Sequence, residues 1–404
     1  MKIGVIGMGY VGLVTSAVLA NHDNHVVGID IDNDKISKLN KSIIPIFEPE
    51  LENYIYINKK RLEFSTDYRS LADREAVFIC TPTPNKNGRI DTSLVEESCR
   101  SLKKVNPTCT VIIKSTVVPG TAKRIISETN INIVSNPEFT REGSAISDTE
   151  KPDRIVVGGN DTKVVEKIWS FTGSHIVSTT NENAELIKYA SNSFLAMKIS
   201  FINEIANLCE QIPGTDVNVI AMGMGYDKRI APYFLKAGIG YGGSCFPKDT
   251  EALFGFALDN GVRLGLIEKV MEVNKTRVTH AVNLIETHIR NFKEKKIGVL
   301  GVAFKDNTDD IRESKAIEIV NVLLQKGYEV SVFDPSVNEI QLNVKICKSI
   351  KECVEISDVI IIAGEWEEFR AIETMNISKP VFDLKRTLDK NRIENYRGIG
   401  LWKE

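Results

Sequence analysis

A glycine-rich segment in the second half of the chain carries the residues best suited to chemistry. Gly240–Asp249 spells GYGGSCFPKD, which places Cys245 among small residues, with Lys248 three positions on and Asp249 four positions on. Small residues allow a substrate to approach the backbone closely. A nearby ammonium group favours the thiolate, which is the nucleophilic form of cysteine. The segment therefore predicts a cysteine nucleophile at Cys245.

A second glycine motif lies near the start of the sequence. Gly7–Gly12 spells GMGYVG and directly follows the predicted strand Lys2–Ile6. In this setting the first glycine allows a tight turn, the second lets a pyrophosphate approach, and the third packs a helix against the strand. Asp30, at the end of the next predicted strand, suits ribose hydroxyls and repels a 2′-phosphate, so NAD is favoured over NADP. Together the two motifs predict an oxidation through a cysteine-bound intermediate.

Composition excludes several classes of protein. The 404 residues are 42% hydrophobic and 26% charged, as expected of a globular protein with two or three domains. The net charge of −3 argues against nucleic acid as a partner, and the sequence has no apolar run long enough to span a membrane. The seven cysteines form no CxxC pair and the five histidines no HExxH motif, so we expect no metal. The odd cysteine count and the lack of an export signal predict a cytoplasmic protein.

The hydrophobic pattern predicts an α/β fold: two Rossmann-like, doubly wound lobes joined by a central long-helix domain. Short apolar strands alternate with helices in the first third and again from Lys295, whereas a long helix from Glu182 to about Gln211 and a helical stretch over Val262–Phe292 fill the middle. We expect the ligand site in the cleft between the lobes. The apolar stripe of the long helix is predicted to be core, and consists of Ala184, Ile187, Ala190, Phe194, Met197, Phe201, Ile205 and Leu208.

Seven specific motifs run along the chain: GMGYVG, CTPTP, KSTVVPGT, NPEFTREG, AELIKYASNSFLA, DKRIAPYFLKAGIGYGGSCFPKDT and GVAFKDNTDDIRES. They give it a resemblance to the UDP-glucose/GDP-mannose dehydrogenase family, and within it to the UDP-glucose 6-dehydrogenases. The family oxidises the C6 alcohol of a nucleotide sugar to a carboxylate, consuming two NAD⁺ and one water, so the resemblance implies UDP-glucose as substrate.

The expected domains are an NAD-binding domain over 1–181, a central helical domain over 182–293 and a UDP-sugar-binding domain over 294–404. The long apolar helices of the central domain need more partner surface than one small domain offers, so we expect a homodimer that associates through them.

The resemblance also assigns site residues. Cys245 is implied as the nucleophile, and Lys188 and Asn192, one helical turn apart, as stabilisers of negative charge on the reacting oxygen. The implied catalytic group is completed by Asp249, Glu138 and Thr116. The implied NAD contacts are Gly7, Gly9, Tyr10, Val11, Gly12, Asp30, Lys35, Thr83, Thr116, Glu142, Lys248 and Arg312. The implied substrate contacts are Glu138, Phe139, Lys188, Asn192, Arg229 (across the dimer), Phe234, Leu235, Lys236, Ala237, Gly238, Tyr241, Gly242, Lys305 and Lys385.

Several alternatives remain open. Many family members carry Asp-Gly-Arg where this chain has Asp383–Arg386 (DLKR), which leaves the sugar, and the choice between Lys385 and Arg386, undecided. A sister activity on GDP-mannose or a UDP-N-acetylhexosamine, or a non-catalytic NAD-binding regulator, would share the architecture. Lys188 could be an ordinary exposed helix lysine, and Glu138 and Glu142 a solvated helical turn. Lys305 follows a glycine turn that lacks the dinucleotide spacing, so we expect no second NAD.

Overall fold

Two β-sheets, one in each half of the chain, organise the computed structural model, which describes residues 1–289 and 295–402. The chain divides into the units Met1–Ser191 and Asn192–Glu404, and each is described by itself. No helix among the described residues is both long enough and apolar enough to cross a bilayer. The predicted boundary between residues 293 and 294 lies outside the described residues, as does the predicted helix end at Phe292.

The first unit is built on an eight-stranded sheet. Its central strands are buried along almost their whole length, which explains their continuous apolar runs. The strands are β1 (Lys2–Ile6), β2 (His25–Ile29), β3 (Leu62–Ser65), β4 (Ala76–Ile79), β7 (Thr110–Ile113), β8 (Ile133–Ser135), β9 (Arg154–Gly158) and β10 (His175–Thr179), beside a small hairpin of β5 (Asn85–Lys86) and β6 (Arg89–Ile90). The sheet order is β10-β9-β8-β7-β4-β1-β2-β3, parallel except where β9 meets β8.

Helices connect these strands, as the alternating pattern predicts. They are α1 (Tyr10–Asn21), α2 (Asn33–Asn40), α3 (Leu51–Ile57), α4 (Ser93–Val105), α5 (Thr121–Thr129), α6 (Ala145–Glu150) and α7 (Lys163–Ile168). The apolar runs of the sequence predict strands, each of which is confirmed to within one residue at either end: Lys2–Ile6, His25–Asp30, Ala76–Cys80, Thr110–Lys114 and Asn132–Val134. The prediction did not identify β3, β9 and β10.

The long helix α8 (Asn181–Cys209) confirms the helix predicted from Glu182 to about Gln211. The prediction that its apolar stripe is core is confirmed only in part. Ala184 is fully buried and Met197 and Ile205 pack against core clusters, whereas Phe194, Phe201 and Leu208 expose 58%, 45% and 55% of their surfaces. The buried side of the helix also carries polar groups such as Lys188. Hydrophobic periodicity alone therefore did not separate the buried face from the exposed one.

The second unit is built on a six-stranded parallel sheet in the order β13-β12-β11-β14-β15-β16. Its core is formed by the second half of α8 with α11 and α12 and the sheet. The strands are β11 (Lys296–Leu300), β12 (Glu329–Phe333), β13 (Lys345–Ile346), β14 (Val359–Ile362), β15 (Val381–Asp383) and β16 (Tyr396–Gly398). The helices are α9 (Val217–Gly225), α10 (Phe246–Asp259), α11 (Gly265–His288), α12 (Lys315–Gln325) and α13 (Ile350–Ile356).

Candidate active site

The glycine motif forms the turn between β1 and α1. Gly7 has φ +95°, and a Cβ at Gly12 would lie 1.8 Å from the Gly7 carbonyl oxygen, so both positions require glycine. A Cβ at Gly9, the N-cap residue of α1, would meet nothing within 4 Å. The turn therefore leaves open space at the N-terminus of α1, beside Tyr10 and Val11, where backbone N–H groups attract phosphate. These residues fit a dinucleotide.

Asp30 fixes this turn from the end of β2. Its Oδ2 accepts hydrogen bonds from the Met8 amide at 2.8 Å and from the Lys35 ammonium at 2.9 Å, and its Oδ1 accepts one from the Asp32 amide at 3.0 Å. The structure therefore brings Asp30 and Lys35, both predicted NAD contacts, next to the glycine turn. A carboxylate at this position accepts hydrogen bonds from ribose hydroxyls.

Two loops bring other predicted NAD contacts together. The Thr83 hydroxyl donates to the Thr116 carbonyl at 2.8 Å, which joins the loops that follow β4 and β7. The Gly143 amide, next to Glu142, donates to the Tyr10 hydroxyl at 2.8 Å and to the Glu48 carboxylate at 2.6 Å. Glu48 is 7% exposed and was not predicted from the sequence.

Glu138 and Lys188 form a buried ion pair. Their side chains are only 7% and 4% exposed, and Lys188 Nζ donates to Glu138 Oε1 at 2.7 Å. The other oxygen, Oε2, accepts from both the amide and the hydroxyl of Thr140 at 2.7 Å. Burial raises the pKa of the Glu138 carboxyl, but Lys188 and the Thr140 hydrogen bond together lower it to about 2. The pair is therefore charged at neutral pH.

This geometry overturns two of the ordinary interpretations. Lys188 is not an exposed helix lysine, because the helix face that carries it is buried. Glu138 and Glu142 do not form a solvated helical turn, because the segment between β8 and α6 is not helical and Glu138 is buried. Phe139 lies between two cations, with the Arg154 guanidinium 3.9 Å and the Lys188 ammonium 5.5 Å from its ring centroid.

Two further buried charged groups beside this pair were missed. Glu185, one turn before Lys188, accepts hydrogen bonds from the amides of Gly120 and Ala122 at the start of α5. Burial raises its pKa to about 7 despite these bonds. Lys114 ends β7 against the Trp169 ring, and burial lowers its pKa. Their signal was present in KSTVVPGT and AELIKYASNSFLA, as charged residues next to buried apolar ones.

A small cavity in the first unit joins several of these groups. Its lining includes Thr116, Glu185 and Lys188, with apolar and hydroxyl neighbours from the ends of β7 and β8. The structure thus brings Thr116 and Lys188, predicted separately from two motifs, to one cavity wall.

Cys245 is the N-cap residue of α10 and is partly exposed, whereas the other six cysteines are buried. A helix N-terminus stabilises negative charge, which suits a thiolate. One turn into the helix, the fully buried Asp249 accepts from Lys248 Nζ and from Asn192 Nδ2, each at 2.7 Å. Within the second unit, four predicted site residues, Asn192, Cys245, Lys248 and Asp249, therefore meet at the start of one helix.

The glycines before Cys245 are explained by packing within the chain. A Cβ at Gly242 would lie 2.1 Å from the Glu313 carbonyl oxygen, and one at Gly243 would lie 2.6 Å from the Phe304 ring. Gly243 also has φ +79°. Lys305 follows Phe304 and lies over its ring at 5.8 Å, so the predicted contacts Gly242 and Lys305 belong to adjoining segments.

The segment Phe234–Gly238 lies next to the strand ends of the second sheet. Leu235 and Ala237 are buried, and the Phe234 and Tyr241 rings each pack edge-on against Phe246 at 6.0 Å. A Cβ at Gly238 would lie 3.0 Å from the Leu384 carbonyl oxygen and 3.6 Å from Lys385 Cδ. The predicted nucleotide-sugar segment and the DLKR sequence are therefore neighbours.

Lys385 and Arg386 have different surroundings. Arg386 is buried and donates to both carboxylate oxygens of Asp216, at 2.8 and 2.9 Å, and to the Ile399 carbonyl. Lys385 Nζ donates to Glu365 Oε1 at 3.4 Å, and Lys236 Nζ donates to Oε2 of the same carboxylate at 2.6 Å. Of the two cations, Lys385 is the one that lies beside Gly238.

Two predicted arginines are not gathered with the others. The side chains of Arg229 and Arg312 are 89% and 65% exposed and pair with Asp227 and Asp310, two residues earlier in each case. Within the described ranges 1–289 and 295–402, no cluster of three or more His, Cys, Asp and Glu side chains could hold a metal ion.

The glycine turn after β11 differs from the one after β1. Asp334, buried after β12, accepts the amides of Val302 and Ala303 on one oxygen at 2.7 and 3.0 Å. These amides therefore already have a carboxylate partner, and a Cβ at Gly301 would lie 2.4 Å from Gly364 Cα. The turn is filled by its own chain, which agrees with its lack of the dinucleotide spacing.

Comparisons with known proteins match this arrangement. The family models for the NAD-binding, central and UDP-binding domains of UDP-glucose/GDP-mannose dehydrogenases match residues 1–171, 182–276 and 298–390. A UDP-glucose 6-dehydrogenase of Rickettsia bellii is 41% identical over 98% of this chain and 97% of its own length.

Solved structures agree in fold. A UDP-glucose dehydrogenase of Pyrobaculum islandicum superposes with a TM-score of 0.93 at 33% identity, covering 99% of this chain and 98% of that one. A UDP-D-ManNAc dehydrogenase of Pyrococcus horikoshii gives 0.88 at 28% identity, covering 99% of each. The predicted fold class, the family resemblance and the NAD cofactor are confirmed. The chain belongs to the UDP-glucose/GDP-mannose dehydrogenase family.

Proposed function

We propose that this chain oxidises the C6 alcohol of UDP-glucose to the carboxylate of UDP-glucuronate, through a thiohemiacetal and a thioester on Cys245. The observation that carries the proposal is the position of Cys245. Among the seven cysteines, all of which the structure describes, it is the one that is partly exposed, and it caps α10 one turn from the buried Asp249 and its partners Lys248 and Asn192. The relatives named UDP-glucose 6-dehydrogenase support the choice of substrate.

The chemistry needs a sulfur because one carbon loses electrons twice. Bound NAD⁺ supplies the acceptor for each of the two hydrides. In the first oxidation the hydroxyl proton passes to water and the C6 alcohol becomes an aldehyde. The Cys245 thiolate attacks the aldehyde carbon, a C–S bond forms, and the carbonyl electron pair moves to the oxygen. The adduct keeps a C–H bond, so its oxidation gives a thioester. Water then adds to the thioester, the C–S bond breaks with its electron pair left on sulfur, and the products are the carboxylate, the free thiolate and two protons released to solvent.

Negative charge on the substrate oxygen must be stabilised in these steps. We assign this role to the Lys188 ammonium, which Glu138 and Thr140 hold in a fixed position. Asn192 lies one turn further along α8 and its amide is oriented by Asp249. Loss of one such donor typically lowers the rate by ~100- to 1000-fold. Asp249 and Thr116 are proposed to orient the attacking water.

The remaining residues are assigned to NAD or to the nucleotide sugar. For NAD we propose the open turn Gly7–Gly12 with Asp30, Lys35, Thr83, Thr116, Glu142, Lys248 and Arg312. For the nucleotide sugar we propose Glu138, Phe139, Arg229, Phe234, Leu235, Lys236, Ala237, Gly238, Tyr241, Gly242, Lys305 and Lys385. Lys236, Lys305 and Lys385 supply the positive charge that an anionic diphosphate requires, and their ammonium groups can also donate hydrogen bonds to sugar hydroxyls.

We propose that the active form is a homodimer in the cytoplasm, with the three domains predicted from the sequence. Within the second unit, Phe194, Phe201 and Leu208 form an exposed apolar stripe on α8. Met222 of α9 and Tyr226, which follows that helix, expose 55% and 79% of their surfaces. Exposed apolar groups of this size mark association surfaces. Free, mostly buried cysteines suit a reducing compartment. Phe201→Asp should lower the mass measured by analytical ultracentrifugation; an unchanged mass would refute this surface.

The first test is the stoichiometry of NADH with purified protein and UDP-glucose. Two NADH per sugar are expected, whereas a simple alcohol oxidation gives one. Cys245→Ser should stall as an oxygen ester, because an alkoxide is a poorer leaving group than a thiolate, and the ester adds the mass of the glucuronyl nucleotide to the protein. Full acid production by Cys245→Ala would refute the covalent step.

A sister activity is the alternative that the neighbours raise, because the Pyrococcus horikoshii structure is a UDP-D-ManNAc dehydrogenase. Comparing kcat/KM for UDP-glucose, UDP-N-acetylmannosamine and GDP-mannose decides between them. NAD binding without NADH formation from any of the three would instead indicate a regulator.

A further inference from the structure

We propose that Arg277 of α11, with Asn203 of α8 and Asn274 of α11, forms a buried clamp that positions the turn Gly238–Tyr241 and, through it, Cys245. None of the three side chains was singled out by the sequence motifs. All three are at least nine-tenths buried, and Arg277 is completely buried. The role is one of positioning, and it rests on the proposed function only in that Cys245 is taken as the nucleophile.

The clamp residues form hydrogen bonds with the backbone at both ends of the turn. The Gly238 amide donates to Asn203 Oδ1 at 2.8 Å, and the Gly238 carbonyl accepts from Arg277 Nε at 3.1 Å. The Tyr241 amide donates to Asn274 Oδ1 at 2.8 Å, and the Tyr241 carbonyl accepts from Asn274 Nδ2 at 3.0 Å. Four backbone groups of a loop, which would otherwise be buried without partners, are therefore satisfied by side chains of two helices.

The turn fits its clamp closely. Gly240 lies between Gly238 and Tyr241 and has φ +95°. A Cβ at this position would lie 2.4 Å from Asn274 Oδ1 and 3.3 Å from Arg277 Cγ. The next glycine, Gly242, has no room for a Cβ against the Glu313 carbonyl. Because the backbone from Gly240 onward is packed against the clamp and against Glu313, we expect a displacement at Gly240 to move Cys245, which lies five residues later.

The type of residue at 277 supports a positioning role. The guanidinium also donates to Asn207 Oδ1 at 2.5 Å, and burial lowers its pKa to about 10. Among the described residues, no carboxylate forms an ion pair with it. A buried cation with neutral acceptors is costly for folding, and an apolar residue would fill the core at lower cost. What an apolar residue cannot supply is a rigid set of donors that joins the turn to α8.

The same turn carries residues assigned to the nucleotide sugar. Gly238 and Tyr241 are proposed substrate contacts, and Tyr241 packs against Phe246, the first residue of α10. Loosening the clamp should therefore disturb both sugar binding and the thiol, and should leave the NAD-binding turn Gly7–Gly12 of the first unit unchanged. This pattern differs from that of a general loss of stability.

The test compares Arg277→Met and Arg277→Lys with Ser200→Ala. Ser200 is the matched control because its hydroxyl donates to the Val270 carbonyl at 3.0 Å, joining the same two helices without contact to the turn. Measurements are kcat and KM for UDP-glucose, Kd for NAD, hydrogen exchange of peptide 238–245, and the iodoacetamide alkylation rate of Cys245 in free protein.

For Arg277→Met we expect kcat to fall ~100-fold, as for a misplaced reacting group, with a higher KM for UDP-glucose. The Kd for NAD should change far less than the KM, because most of the proposed NAD contacts lie in the first unit. Peptide 238–245 should exchange faster and Cys245 should alkylate faster. Arg277→Lys keeps a hydrogen-bond donor, so its values should lie between those of wild type and Arg277→Met. Ser200→Ala should match wild type in all of these measurements. Wild-type exchange and alkylation in a folded Arg277→Met would overturn the clamp, as would equal effects in Ser200→Ala.

If Arg277→Met does not fold, Asn274→Ala provides the same comparison, because it removes both bonds to Tyr241 and leaves the arginine in place. The exchange and alkylation measurements need no substrate. Suppose that the wild-type protein fails to oxidise UDP-glucose, but that the variants still show faster exchange and alkylation than wild type. That result would refute the proposed function and support the clamp.

Discussion

Replacing Lys188 by methionine should strongly destabilise the first unit, because it leaves the Glu138 carboxylate buried without its cation. The two side chains are 4% and 7% exposed, with Nζ and Oε1 2.7 Å apart. Methionine matches the length of the lysine stem, so the change removes the charge and hydrogen bond without opening a large cavity. The loss is therefore mainly electrostatic.

The magnitude follows from two independent estimates. Lowering the Glu138 pKa from 4.5 to about 2 corresponds to about 3 kcal/mol of preference for the charged form. Removing one partner of a buried ion pair typically costs about 3–5 kcal/mol. We therefore expect Lys188→Met to lower the free energy of unfolding of the first unit by at least about 3 kcal/mol at pH 7.

The assay uses Trp169, which is 3% exposed in the first unit and bonds to Asn136 Oδ1 through its indole N–H. With Trp366 and Trp402 replaced by phenylalanine, its fluorescence reports urea unfolding of this unit alone. Glu138→Gln and the double variant complete a thermodynamic cycle. The double variant should be more stable than the sum of the single losses predicts.

The pH dependence supplies a second check. Glu138 has a lowered pKa in the folded state, so its contribution is complete above about pH 4.5 and is lost as the pH falls toward 2. The difference between wild type and Lys188→Met should therefore shrink over that interval. A folded Lys188→Met within 1 kcal/mol of wild type at pH 7, or additive effects in the cycle, would refute the buried-pair argument.

Two further predictions concern other buried or bridging charges. Burial raises the pKa of Glu185 to about 7, so the stability that its protonated form contributes is complete below pH 4.5 and lost as the pH rises to 7. Glu185→Gln should therefore remove this decrease in the free energy of unfolding between pH 4.5 and pH 7, as measured by urea titrations at several pH values. The same decrease in the variant would count against the raised pKa. Lys385→Met should raise KM for UDP-glucose ~10-fold with little change in kcat, since a charged hydrogen bond is lost; an unchanged KM in steady-state assays would exclude Lys385 as a contact.

The sequence predicted the backbone of the site well because glycines and strand ends are local signals. The turn Gly7–Gly12 needs positive φ and close contacts that only glycine permits, and β1 and α1 on either side are strongly patterned. Cys245 was found for a similar reason, although the glycines before it prove to be required by Glu313 and Phe304 as well as by any substrate.

The sequence could not reveal interactions between distant residues. Glu138 and Lys188 are 50 positions apart, and no pattern within either motif shows that Lys188 Nζ reaches Glu138. The partly wrong assignment of the core residues of α8 has the same cause. Hydrophobicity favours burying Phe194 and Phe201, but the face that packs inside the chain also carries Lys188 and Asn192, whose partners lie far away in the sequence.

These buried partners also bear on how the proposed oxyanion is stabilised. A lysine on an exposed helix face would be free to move and would be screened by water, so its charge would do little at a substrate oxygen. Lys188 is held by a carboxylate that is itself fixed by two Thr140 bonds, so its ammonium is in place before charge develops. Preorganisation of this kind removes the cost of reorienting dipoles during the reaction. The feature that makes Lys188 costly to remove from the fold is therefore the same feature that suits it to the chemistry.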